Sequence, residues 1–133
     1  LAEVLCVDPA KVPELWPHVS DLVKRGLSYG SEDFEEVKEK VHSGLWLLWL
    51  VVEDLRIKGI VITALIGNAC EIIAAAGRDF IALIHLIRHL EAFARAEGRE
   101  RMLITGRRGW LRVLKHYHPI GTVGDLVSLE RIL

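Results

Sequence analysis

Three stretches of the 133-residue chain hold residue types that can do chemistry. In AAAGRDFIALIHLI, Ala74 to Ile87, an apolar run meets Gly77-Arg78-Asp79 and then turns helical. A helix start presents backbone N–H groups with no partner, and a glycine lets the backbone approach an anion, so this junction has the ingredients of a phosphate cradle. Arg107-Arg108-Gly109-Trp110 places two arginines before a helix start and a tryptophan after it, a composition suited to phosphate contacts or base stacking. The competing reading is a core tryptophan flanked by solvated arginines, and no nucleic-acid fold signature accompanies the segment. His85 and His89 have the spacing of a metal pair on one helical face, but no Glu follows His85, and His116 and His118 lack a third ligand. No metal is expected.

Charge is divided along the chain in a way the net value of −1 conceals. Residues 1–77 hold 7 Lys/Arg against 12 Asp/Glu, whereas residues 78–115 hold 9 against 4. The second segment predicts a basic face for an acidic or anionic partner, with solvated helix faces as the alternative. Cys6 and Cys70 lie in apolar segments without metal spacing and read as buried, reduced thiols of a cytoplasmic protein. The longest apolar run, Leu45 to Val52, is far shorter than the ~20 residues of a membrane-spanning helix, so no membrane is expected. The opening LAEVLCVDP carries an acid and no basic leader, and it does not read as a signal peptide.

These residues must be positioned by elements that periodicity outlines within one domain, residues 1–133. Glu3 to Val7 reads as a strand. A helix starting near Pro13 carries an apolar stripe of Leu15, Trp16, Val19, Leu22 and Val23 and is expected to stop at Gly26. A second helix is expected from an N-cap at Ser31 to Gly44. Leu45 to Val52 and Ile57 to Ile66 form a hairpin through a short polar turn, and Ala69 to Ala76 is a third central strand. Phe80 to Gly98 is the clearest helix, with Phe80, Leu83, Ile84, Ile87, Leu90 and Ala94 on one face. Arg101 to Thr105 reads as a strand, Gly109 to Tyr117 as a helix and Val123 to Ile132 as a last extended segment. Trp46 and Trp49 point to opposite faces, so they do not form one aromatic box and read as core and interface residues. A homo-oligomer is left open, with no residue assigned to it. The class is α/β (α+β) on a mixed central sheet.

This order resembles the GNAT superfamily of acyl-CoA-dependent N-acyltransferases. The likeness rests on RHLEAFARAEGRERMLIT, similar to the family's long helix and following strand, on GWLRVLKHY, similar to its last helix, and on LWLLWLVVEDLRIKGIVIT, similar to its central hairpin. The resemblance implies a cofactor, acetyl-CoA, whose pyrophosphate is held by a loop reading Arg/Gln-x-x-Gly-x-Gly/Ala. Carried onto this chain, the loop covers Ala76, Gly77, Arg78, Asp79, Ile81 and Leu83, with Arg78 on the basic position and Ile81 and Leu83 on the two glycines. Branched side chains there are expected to fill the space a phosphate needs. The family's acid, a tyrosine of the last helix, aligns with Leu114, leaving Tyr117 as a displaced candidate, and the base candidate on the central strands is Glu71. The expectation is therefore a GNAT fold whose chemistry has eroded, acting as a binding or structural protein. Similar small proteins are encoded by tailed phages, which makes the virion a second location. The alternatives are a working acetyl-CoA-dependent N-acetyltransferase with an atypical loop and a nucleic-acid-binding module. The resemblance leaves the acceptor open between a protein and a small molecule.

Overall fold

A computed structural model describes residues 2–27 and 32–133. The elements run β1 (Glu3–Cys6), α1 (Val12–Leu27), α2 (Phe34–His42), β2 (Leu47–Glu53), β3 (Arg56–Ile66), β4 (Ala69–Gly77), α3 (Phe80–Ala96), β5 (Arg101–Gly106), α4 (Trp110–Val113), β6 (His118–Val123) and β7 (Leu126–Ile132). The strands form a seven-stranded sheet in the order β1-β2-β3-β4-β5-β7-β6. Every neighbouring pair is antiparallel except β4 and β5, which run parallel because α3 carries the chain back along the sheet. The mixed α/β class expected from the sequence is present.

Alternation along the central strands divides the core between two faces. On one, Leu48, Leu50, Ile60 and Ile62 meet the buried stripe of α1, Val12, Trp16, Val19 and Val23, together with Val37 and Val41 of α2. On the other, Trp49, Val51, Val61 and Ile72 meet Leu83, Leu86, Ile87 and Leu90 of α3. Burying each such aliphatic side chain favours folding by about 1.5–3 kcal/mol, so both helix layers are clamped to the sheet. Trp46 and Trp49 do face opposite ways, yet each is only 8% exposed, so both belong to the core and neither supplies an interface.

Several local expectations are corrected. Gly26 does not stop α1, which continues to Leu27. A Cβ at Gly26 would lie 3.2 Å from the Ala75 nitrogen, so the glycine lets α1 press against β4. The expected cap at Ser31 lies outside the described residues; the cap found for α2 is Asp33, whose carboxylate accepts from the Glu36 N–H. Cys6 is exposed rather than buried, whereas Cys70 is buried and its thiol is pushed up to about 11 by burial. The last helix ends at Val113, and His118–Val123 forms an additional strand. That strand was hidden because all six of its residues are exposed, leaving no alternation to detect, and Pro119 is tolerated there because β6 is an edge.

Candidate functional site

A cleft opens where β4 and β5 part. The two strands pair only from Ala69↔Arg101 to Ile72↔Ile104. Immediately afterwards β4 carries a bulge at Ile73, since the β3 register passes from Ile62↔Ala74 to Thr63↔Ile72. A bulge bends its strand and increases its twist, and this one falls where the β4–β5 ladder ends. Both strands nevertheless continue, β4 to Gly77 and β5 to Gly106, so a wedge remains between them.

The wedge is a cleft of about 490 Å³, walled by residues 72–77 on one side and 104–107 on the other. Arg25 and Gly26 of α1 border it, and Phe80, Leu83 and Trp110 complete it. Its size is that of a small-molecule site, and its walls are mostly apolar with an unpaired strand edge. Arg25 and Arg107 are the charged residues among the described lining. The Trp110 ring covers Gly106, where a Cβ would come within 2.9 Å of it, and its centroid lies 5.6 Å from that of Phe80. These two rings flank the mouth, one at the start of α3 and one at the start of α4.

At the head of α3, where the sequence suggests a phosphate cradle, the first-turn N–H groups are bonded to Asp79, a residue other than the ones expected to occupy it. Only Arg78 and Asp79 separate β4 from α3, so the positions assigned to the family's glycines, Ile81 and Leu83, fall within the helix. The Asp79 carboxylate caps the helix, accepting from the Ile81 N–H at 3.0 Å and the Ala82 N–H at 3.2 Å. The Leu83 N–H donates to the Asp79 carbonyl and the Arg78 N–H to the Lys58 carbonyl. Leu83 is buried and lines the cleft, whereas Ile81 is 81% exposed and fills nothing. Gly77 faces β3: a Cβ there would lie 2.8 Å from the Lys58 carbonyl oxygen, so the glycine is needed for strand contact. Ala76 is buried in the cleft wall, and Arg78 is exposed at the rim. The first-turn N–H groups of Ile81 and Ala82 are thus already bonded within the chain, and a diphosphate at the head of α3 would compete with the Asp79 carboxylate for them.

Tyr117 lies away from this cleft. Its hydroxyl donates to Glu91 Oε2 at 2.8 Å, and Arg131 Nη1 donates to the same carboxylate at 2.9 Å. Burial, and then the bond to Glu91, push the phenol far above its ordinary value of 10.0. Leu114, aligned with the family's acid, is buried in the core. Glu91 escaped notice in the sequence, although it sits one turn beyond Ile87 on the apolar stripe of α3, where a charge needs a partner. The second omission was Asp79, an aspartate directly before a helical run and so a ready N-cap.

Glu71 stands in the closed part of the ladder, opposite Ala64 and Leu103, one residue before the strands part. It is half-buried, and burial followed by the nearby charge of Glu32 holds its carboxyl above the usual range. His85 and His89 stack edge to face at 4.8 Å, and among the described residues no group of three potential ligands gathers around a metal position. No helix of the described residues is long and apolar enough to cross a membrane.

No family model and no curated protein matches this sequence. Solved structures do match it along nearly its whole length. The PaiA N-acetyltransferase of Thermoplasma acidophilum, in complex with coenzyme A, is 15% identical with a TM-score of 0.70, covering 100% of this chain and 99% of that one. An aminoglycoside 6'-acetyltransferase of type Ii gives 14% and 0.74, covering 98% and 96%. A GNAT family acetyltransferase from Elizabethkingia anophelis with acetyl-CoA bound gives 14% and 0.71, covering 99% and 98%. The chain therefore has the GNAT acetyltransferase fold.

Proposed function

We propose that this chain is an N-acyltransferase that takes its acyl group from a pantetheine thioester of the acetyl-CoA kind and passes it to an amine. The observation that carries this reading is the open wedge between β4 and β5. An enzyme needs its reactant held in an extended, water-poor channel, and apolar walls beside an unpaired strand edge supply both the exclusion of water and amide partners for an arm. A bound thioester brings the activated acyl group and a thiol leaving group.

The residues of the chain contribute the rest. Glu71, with Glu32 nearby, makes the α1/α2 side of the sheet acidic, which favours a cationic amine acceptor. A carboxylate whose affinity for protons is raised by burial is suited to take the proton an attacking amine must lose. Tyr117 is assigned no part in the transfer.

The rival reading, a GNAT fold kept for binding after catalysis was lost, draws support from the Asp79 cap and from Leu114 at the expected acid position. Thiol release from acetyl-CoA and from S-acetylpantetheine, measured with a panel of primary amines, separates the two. The expected result is release that requires amine, rises with pH as Glu71 ionises, and falls ~100-fold in kcat in Glu71→Gln, within the range typical of a lost general base. Absence of amine-dependent release from either donor would favour the rival.

A further inference from the structure

A second cavity, of about 180 Å³, lies between α3, the end of α4 with the residues after it, and β7. Among the described residues it shares no lining residue with the wedge, and the proposed transfer makes no use of it. We infer that it is a separate site for a small phosphate dianion, either free phosphate or the phosphate of a small phosphomonoester.

Charge carries the first part of the argument. Arg88 of α3, Lys115 and His116 after α4, and Arg131 of β7 all line the cavity, and the one carboxylate in its described lining is Glu91. With His116 neutral, three cations against one carboxylate leave a charge of +2. Glu91 does not answer Arg88 or Lys115, because its oxygens are taken up by the Tyr117 hydroxyl and by Nη1 of Arg131. Arg101 and Glu130 pair with each other. Arg88 and Lys115 therefore have no acidic partner among the described residues, and no Asp or Glu occurs between residues 101 and 124 to supply one. Unanswered cations gathered at one cavity focus a field that draws an anion in.

Positioning carries the second part. The buried Glu91 fixes the Arg131 guanidinium through Nη1 alone, so the other N–H groups of that fork, whose geometry suits phosphate oxygens, are not spent on the carboxylate. Arg88 precedes Glu91 by three residues and shares its side of α3. The bond from Tyr117 to Glu91 ties down the segment that carries Lys115 and His116. Three separate parts of the chain thus bring their cations to one anchored carboxylate.

Size and surroundings complete it. Arg88, Lys115 and His116 are exposed and stand on the open side, whereas Ile87 and Leu114 are buried apolar walls that strengthen a charged contact beside them. The volume lies below the ~300 Å³ at which sites for drug-sized ligands begin, so the occupant is small.

Amide chemical shifts of the full chain would be followed at constant ionic strength with inorganic phosphate, glycerol phosphate, acetate and chloride. At about pH 8 a phosphomonoester, with its second pKa of ~6, is a dianion. The expected result is saturable shifts at Arg88 and residues 113–117 with at least one of the phosphates, at an affinity ~10-fold or more above that for acetate. A preference between the two phosphates identifies the source, and either preference supports the site. Arg88→Gln/Lys115→Gln should weaken phosphate binding at least ~10-fold, yet leave the melting midpoint of the anion-free protein within about 3 °C, because both side chains are exposed and unpaired. A merely structural role would not give that contrast. Phosphate binding no tighter than acetate, unchanged affinity in the double variant, or shifts that never saturate would each overturn the inference. Displacement of phosphate by CoA but not by dephospho-CoA would also overturn it, by making the cavity part of the donor's own site, and would leave the N-acyltransferase reading intact.

Discussion

Replacing Arg131 by methionine is expected to lower the unfolding free energy by about 3 kcal/mol, because it leaves the Glu91 carboxylate in the core without its cation. Glu91 is 6% exposed at its side chain and holds two donors, Tyr117 and Arg131. The estimate is taken from the lower end of the range for a broken buried pair, since Arg131 itself retains 27% exposure and water already screens part of the interaction. At ~3–6 °C per kcal/mol for a domain of this size, the melting midpoint should fall by roughly 9–18 °C. Thermal unfolding followed by circular dichroism measures this directly. A fall of less than a few degrees would mean that the cation does not stabilise the buried carboxylate.

Tyr117→Phe should separate a structural tyrosine from a catalytic one. It removes a hydrogen bond to a charged acceptor, so a loss of about 1.5–3 kcal/mol is expected. Amine-dependent acyl transfer should stay within about twofold of wild type, because the hydroxyl is turned toward Glu91 and away from the β4/β5 cleft. The alkaline limb carries a further sign. The native phenol is held above the 10.0 of the free group, so the unfolded chain releases this proton first as the pH rises. The contribution of this group is fully present below pH 10 and is lost above it, at about 1.4 kcal/mol per pH unit. Wild type should therefore lose stability faster than Tyr117→Phe above that pH. Equal slopes, or a collapse of kcat in the variant, would contradict the assignment.

Much of the architecture could be read from periodicity because the buried positions repeat: α1 shows its stripe, α3 its face, and β2 through β4 their apolar runs. The edge hairpin was less accessible, since β6 buries nothing and its pairing with β7 depends on backbone bonds. The end of α4 was missed for a related reason, as Leu114 and Tyr117 suit either a helix face or a buried loop. At the site, the sequence pointed to the strand-to-helix junction at Gly77 and Arg78 but not to the Asp79 cap. The resemblance places Asp79 in the loop, while its chemistry, an aspartate before a helix, makes it the cap. Ile81 looked like an obstruction because it is large and apolar, although the helical face of Phe80, Leu83, Ile84, Ile87, Leu90 and Ala94 already leaves it out, in keeping with its exposure. The cleft itself depends on the bulge at Ile73, a register event with no marker residue in the apolar run of β4.

The claim on which the account rests is that the wedge between β4 and β5 receives the thioester arm. Amide chemical-shift mapping with S-acetylpantetheine tests it without requiring turnover, an acceptor or a nucleotide. The account predicts saturable perturbations concentrated at residues 73–77 of β4 and 104–110 after the parting of β5, with none beyond background around Glu91, Tyr117 and Arg131. Perturbations centred on that second group, or no saturable change anywhere, would contradict it.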